Sequence, residues 1–186
     1  YREGSRLTGF FCVTRGIIKI FKTGIDGKEQ IIRFAKKGEI IAYRSLLSQE
    51  LACTTAKVIE EAVLCHIPYQ TLLFLIKSNW QFSHHMLQIV CHELREANDY
   101  ITDIAQKTVR ERLAEVLLLL KENFEVDNQN TLQISLTREE LANTVGTATE
   151  SVIRLLSEFK QDKLIELQGR KIKFLDIPSL KRVANI

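Results

Sequence analysis

Thr149, Glu150 and Arg154 recur at helical spacing opposite an apolar stripe of Val152, Leu155, Leu156 and Phe159. An arginine offers a two-pronged donor that fits guanine O6 and N7, and a glutamate accepts from cytosine N4. Such a pair on the outer side of a helix has the chemistry to read base edges in a duplex. Thr137, Thr147 and Ser151 add hydroxyls for phosphates or bases. Arg170 and Lys171, with Lys160, Lys163 and Lys173 nearby, supply charge for sequence-independent phosphate contacts. Glu150 has a second reading, because Thr147-Ala148-Thr149-Glu150 also fits a capping box in which the glutamate closes a helix start. Arg170 and Lys171 read equally as solvated charges on a hairpin tip.

The elements that must position these side chains can be read around them. Thr137 to Glu140 is a capping box that opens a short helix over Leu141 to Thr144, and Val145-Gly146 breaks it. The helix bearing Glu150 and Arg154 follows, so the arrangement is helix-turn-helix. Leu164 to Leu167, a turn at Gln168-Gly169-Arg170, and Lys171 to Leu175 form a hairpin placed as a wing. Asp176 to Ser179 starts a last short helix with Leu180 and Val183 inward. Upstream lie a core helix from Val109 to about Asn123, a polar loop at 127–130 and a short strand over Leu132–Leu136.

The first third has a different period. Phe10 to Val13 reads as a strand stopping at Arg15-Gly16. Ile17 to Thr23 then alternates, with Ile18, Ile20 and Thr23 set against Lys19 and Lys22. A turn at Gly24–Gly27 makes a hairpin with Gln30–Phe34, and Lys36-Lys37-Gly38 breaks the chain again. Thr54 to Ile59 and Ala62 to Ile67 add two strands around a Glu60-Glu61 turn. Short strands so spaced predict an antiparallel roll or barrel. After Pro68 come a short helix, Tyr69–Ser78, and a long one from Gln81 past Ala105. In the long helix Leu87, Val90, Leu94, Ala97, Ile101, Ile104 and Thr108 step alternately by 3 and 4, the seam of a coiled coil. Its length favours self-association as a homodimer; the other reading is one amphipathic helix lying on the roll. The fold class is α+β, with a roll over 1–80, a dimerisation helix over 81–108 and a winged helix over 109–186.

Composition narrows the function. The chain has 186 residues, 45% hydrophobic and 26% charged, which is ordinary for a globular protein and excludes low-complexity scaffolds. Net charge is only +3, so the placement of the basic residues, and not their number, carries the argument for nucleic acid. Four dispersed cysteines, Cys12, Cys53, Cys65 and Cys91, fit a reducing cytoplasm better than a disulfide framework. No apolar run is long enough to span a membrane. The opening Tyr-Arg-Glu-Gly reads as mid-domain, so further N-terminal residues are expected before it. His84, His85, Cys91 and His92 cluster in sequence, but neighbouring His84 and His85 point to different helix faces. Neither haem nor an iron–sulfur cluster, which needs closely spaced cysteines, is expected of the visible chain, and no metal residues are assigned. No Gly-rich phosphate loop, nucleophile elbow or HExxH motif is present, so an enzyme is not expected.

These segments resemble the Crp/Fnr family of bacterial transcription regulators. "GFFCVTRGIIKIFK", "KKGEIIAY", "TVRERLAEVLLLL", "LTREELANTVGTATESVIRLLSEFKQDKLIEL" and "GRKIKFLD" fall in the family's order across essentially the whole chain. The resemblance implies a cyclic-nucleotide-binding-type β-roll, a long dimer helix and a winged helix on a two-fold symmetric DNA operator, with RNA polymerase as a further partner. Glu150 and Arg154 match the family's base-reading pair, whereas the arginine some members carry just before that glutamate is Thr149 here. In the sensor half, Gly38-Glu39 matches the element that holds a nucleotide's ribose. The phosphate element falls at Gln49-Glu50-Leu51-Ala52 and has no arginine, which leaves Gly38, Glu39 and Ala52 as effector-site positions. Cyclic AMP is therefore not the expected effector, whose identity stays open. A regulatory adaptor whose winged helix binds protein is the alternative.

Overall fold

Two long strands organise the N-terminal part of the computed structural model, which describes all residues from Tyr1 to Ile186. β1 (Gly9–Thr23) pairs antiparallel with β4 (Thr55–Pro68) from Gly9 opposite Pro68 to Phe21 opposite Thr55. The expected breaks at Arg15-Gly16 and Glu60-Glu61 are therefore not strand ends. The register shifts there, between Val13 and Arg15 and again on either side of Ile17, so the ribbon bulges and bends but continues. Gly16 has φ +86°, and a Cβ on it would sit 2.2 Å from the Glu61 carbonyl oxygen. Only glycine lets the two backbones meet at this bend.

β2 (Glu29–Ala35) returns along β1 through the expected turn, where Gly24 N–H donates to Lys28 O at 2.9 Å. A further shift between Ile20 and Phe21 breaks the predicted alternation. Lys19 and Phe21 are buried beside Ile18 and Ile20, and Thr23 is exposed. β3 (Ile40–Ile41) adds to β1 at Phe11 and Cys12. A one-turn helix that the sequence reading did not anticipate, α1 (Tyr43–Leu47), follows Ala42, whose φ is +73°. α2 (Tyr69–Ser78) lies where expected. Phe10, Tyr43, Leu46, Leu72 and Met86 form one core, and Val13, Ile18, Ile20, Ala35 and Ile41 another.

α3 (Trp80–Gln106) is one continuous helix, packed on the roll along part of its length and exposed along the rest. Met86, Ile89 and Val90 pack on the first core, with Val90 half-buried there. Leu87, Leu94 and Ile101 remain 59%, 61% and 65% exposed, with Ala97 and Ile104 also exposed. Thr108 lies beyond the end of α3. It caps α4 (Val109–Asn123) in a capping box with Glu111.

The chain divides into two compact units, Tyr1–Glu96 and Ala97–Ile186. The second holds α4, α5 (Arg138–Val145), α6 (Thr149–Gln161), β5 (Ile165–Gln168), β6 (Lys171–Phe174) and α7 (Ile177–Ala184). The strand expected over Leu132–Leu136 is reduced to isolated bridges, Val126 with Leu132 and Thr131 with Lys173. Asp127 draws this segment into a tight loop by accepting from Gln129 N and Thr131 N, although Leu132, Ile134 and Leu136 still bury alternately.

Gly16→Ala should destabilise the roll by about 2 kcal/mol or more, read as a lower urea midpoint; an unchanged midpoint contradicts the bulge account. In the second unit, hydrogen bonds from Thr108 hold the Glu111 carboxyl below its ordinary 4.5, and those from Ser179 hold Asp176, the N-cap of α7, below 3.8. Because these folded values lie below the unfolded ones, their stabilisation is complete above the ordinary values and is lost as pH falls through the depressed ones. The melting temperature should stay level from pH 7 to about 5 and fall below about 4, with a smaller acid loss in Asp176→Asn.

Candidate nucleic-acid interface and sensor cavity

The turn between α5 and α6 sets the interface. Thr137 caps α5 as predicted: its hydroxyl oxygen accepts from Glu140 N at 3.1 Å, while Glu140 Oε2 accepts from Thr137 N at 2.9 Å. The same hydroxyl donates to Glu140 Oε2, so it is committed to the cap. α5 ends at Gly146, with φ +74°. Both Gly146 N and Thr147 N donate to Ala142 O, at 2.9 and 3.1 Å. Thr147 thus belongs to the end of α5, and the N-cap of α6 is Ala148, which makes no side-chain cap bond. The second capping box does not form. Glu150 is exposed and is not used to close the helix.

On α6, Val152, Leu155, Leu156 and Phe159 are buried as expected. Glu150 and Arg154 stand exposed on the other side, with Thr149 and Ser151 half-buried beside them. Ile153, 49% exposed between Glu150 and Arg154, was not singled out from the sequence; an apolar side chain there has the chemistry to meet a thymine methyl. Arg154 Nη1 is 3.2 Å from Glu158 Oε1. The other oxygen of Glu158 takes Arg110 Nη1 at 2.7 Å, and Arg110 also reaches Asp162 and lies over the Phe159 ring. Glu158 therefore keeps Arg154 extended along the helix.

The wing forms as predicted, with β5 and β6 paired from Ile165–Phe174 to Gln168–Lys171 and Arg170 and Lys171 exposed at its tip. Arg138 was missed. Its Nη2 donates to Gly169 O at 2.7 Å, tying the start of α5 to the wing turn, while its Nη1 is buried without a hydrogen bond. Desolvation lowers the pKa of this guanidinium. The T-R-E-E motif drew attention to the cap and away from the arginine inside it.

The roll encloses a small cavity of about 10 Å³ lined by Arg33, Tyr43, Arg44, Ser45 and Thr54 among others. None of the three expected effector positions lines it. Gly38 turns the chain at φ +90°, Glu39 pairs with Arg33 at 3.2 Å, and Ala52 is buried with its backbone bonded to Gly4 and Ser5. No group of three or more His, Cys, Asp or Glu side chains is placed to hold a metal ion.

Residues 1–79 match the family described as a cyclic nucleotide-binding domain, and residues 111–183 match that described as a Crp-like helix-turn-helix domain. The chain belongs to the Crp/Fnr family. Among its relatives, the transcriptional activator FnrA of Stutzerimonas stutzeri is 28% identical over 178 residues, covering 95% of this chain and 72% of that protein. The fumarate and nitrate reduction regulatory protein of Escherichia coli is 24% identical over 99% of this chain and 74% of its own length. The fold is shared with FixK2 of Bradyrhizobium japonicum, at a TM-score of 0.84 and 22% identity over 98% of this chain and 94% of that one. A CRP-family regulator from Thermus thermophilus has a TM-score of 0.84 at 21% identity, covering 100% and 92%. This Crp/Fnr protein is a DNA-binding transcription regulator with an effector-type sensor domain, and the family is not one of enzymes. Crp/Fnr regulators bind DNA as dimers, and no helix here is long and apolar enough to cross a membrane.

The commitment of Thr137 to its cap gives a test. Thr137→Ala should cost about 1 kcal/mol of stability and leave the salt dependence of DNA binding unchanged. A shallower salt slope would show a phosphate contact instead.

Proposed function

We propose that this regulator reads a two-fold symmetric operator through α6, with Glu150 and Arg154 meeting base edges and Thr149 and Ile153 contacting bases beside them. The observation that carries this reading is the exposure of Glu150 outside any cap, one turn from an exposed Arg154. Thr147, Ser151, Arg170 and Lys171 supply phosphate contacts, and Arg138 holds the wing turn in place through Gly169 O. Thr137 contributes by fixing the start of α5. Two copies associate along α3 through Leu87, Leu94, Ala97, Ile101 and Ile104, with Val90 shared between the seam and the roll. The working division is a sensor roll over 1–80, a dimer helix over 81–108 and a DNA-binding part over 109–186, acting in the cytoplasm with RNA polymerase as partner.

Cyclic AMP is not the effector in this reading. A cavity of about 10 Å³ has room for about one water molecule. The guanidiniums around it, Arg33 and Arg44, already face carboxylates of the chain. These residues do not fit a cyclic nucleotide.

Arg154→Ala should weaken binding to the specific operator by about 1–3 kcal/mol and relax preference at one base pair in each half-site. Lys171→Ala should weaken all duplexes alike and reduce the salt slope by about one. Unchanged operator affinity in Arg154→Ala removes it from the base-reading set.

A further inference from the structure

We propose that Glu93, which lies outside the cavity lining, neutralises the two arginines that do line it, Arg33 and Arg44, in the place of an anionic ligand, and so fastens α3 to the roll with no small molecule bound. This deepens the reading of the roll as a sensor domain and rests on it. Glu93 continues the flank of α3 that begins with Met86, Ile89 and Val90, one and two turns earlier, and its side chain is only 14% exposed. Arg33 from β2 places Nε 3.2 Å from Glu93 Oε1, and Arg44 from α1 places Nε 3.5 Å from Oε2. Two cations from separate elements thus converge on one carboxylate from a third.

Glu93 Oε2 is buried and, although Arg44 faces it, makes no hydrogen bond. Tyr43, 1% exposed, lines the cavity together with the two arginines, and its hydroxyl has no hydrogen bond. Burial and the Glu93 carboxylate push its pKa well above the ordinary value, so the hydroxyl keeps its proton as a donor. Arg33 is held further by Glu39 and by a 2.8 Å bond to Ile40 O. A buried carboxylate is tolerated only when paired. An incoming phosphodiester would have to take the same two arginines and leave Glu93 unpaired. No arginine in 49–52 stands by to offset that loss. Absence of the expected phosphate clamp and presence of Glu93 are therefore two sides of one arrangement.

Chemical rescue tests this assignment. In the full-length chain, calorimetry with cyclic AMP or cyclic GMP should give no binding heat. Glu93→Ala should lower the melting temperature, and formate should restore it in that variant, binding roughly tenfold more tightly than to the wild type. Glu93→Ala combined with Arg44→Ala should lose the rescue, and Glu93→Gln serves if the alanine variant does not fold, its thermal loss then being unresponsive to formate. Nucleotide heat in the wild type, or a formate effect equal in wild type and variant, overturns the proposal. Failure to bind any DNA would instead sink the regulator reading and leave this one standing.

A separate observation concerns two cysteines. Cys12 on β1 lies directly opposite Cys65 on β4, so both thiols leave the same face of the sheet. Val13 bonds to Glu39 and Gly38 on the other flank of β1, which turns the Cys12 peptide groups toward β4. A pair facing in that way has its Cα atoms about 5.5 Å apart, inside the range a disulfide spans. We infer that Cys12 and Cys65 form an oxidisable dithiol. The exposed Cys65 thiolate attacks a low-molecular-weight disulfide such as oxidised glutathione, releasing one glutathione thiol. The Cys12 thiolate then attacks the Cys65 sulfur and expels the second, the two cysteine protons ending on the two glutathiones. Intact-mass analysis should show loss of two hydrogens and a Cys12–Cys65 cross-linked peptide, with Cys12→Ser stopping at a glutathione adduct. A stable adduct on Cys65 in the wild type, or cross-links to Cys53 or Cys91 instead, overturns it.

Discussion

Burial of one stripe of α6 decides what its other side presents. Val152, Leu155, Leu156 and Phe159 sit in the core of the second unit and lose solvent together. At 3.6 residues per turn that leaves Glu150, Ile153 and Arg154 no direction but outward. The turn into α6 matters for the same reason. Gly146 in the left-handed region lets Thr147 finish α5, so α6 begins one residue later than a threonine cap would start it. Had the threonine capped, Glu150 would have been spent on the backbone. The free carboxylate is thus a consequence of where one glycine stands.

Around that face the chain holds its charges in reserve. Arg154 is tethered along the helix by Glu158, which Arg110 in turn anchors over Phe159. Exposed ion pairs of this kind are worth little in water, so Arg154 can exchange Glu158 for a base at small cost while being pre-aligned in the free protein. Arg138 works differently. One arm fixes the wing turn, and the other is buried without a partner, a state more costly than a surface charge. The sensor roll has the opposite design: Arg33 and Arg44 are already matched by carboxylates of the same chain.

The legible parts of the sequence were those governed by local pattern. Helical periodicity placed α2, α3, α4 and α6 within a residue or two, the Thr137–Glu140 cap was read from its four letters, and the wing from a glycine between two strands. What failed was decided by partners distant in sequence. Arg15-Gly16 and Glu60-Glu61 each look like a turn alone; set opposite one another they make a bulge through which two long strands continue. The residues around the roll's small cavity, Arg33, Tyr43 and Arg44 among them, come from separate elements and share no motif. Glu93 and Arg138 carry no motif, since their roles arise from contacts across elements. The Thr108-Val109-Arg110-Glu111 cap, by contrast, was visible and was hidden by counting Thr108 into the seam.

Selection of random duplexes with the full-length protein at two salt concentrations tests the central claim most directly. The account predicts enrichment of one sequence whose halves are related by two-fold symmetry, bound more weakly at the higher salt, without any nucleotide added. Recovery of unrelated sequences with no shared half-site, or enrichment that survives loss of both Glu150 and Arg154, would contradict it.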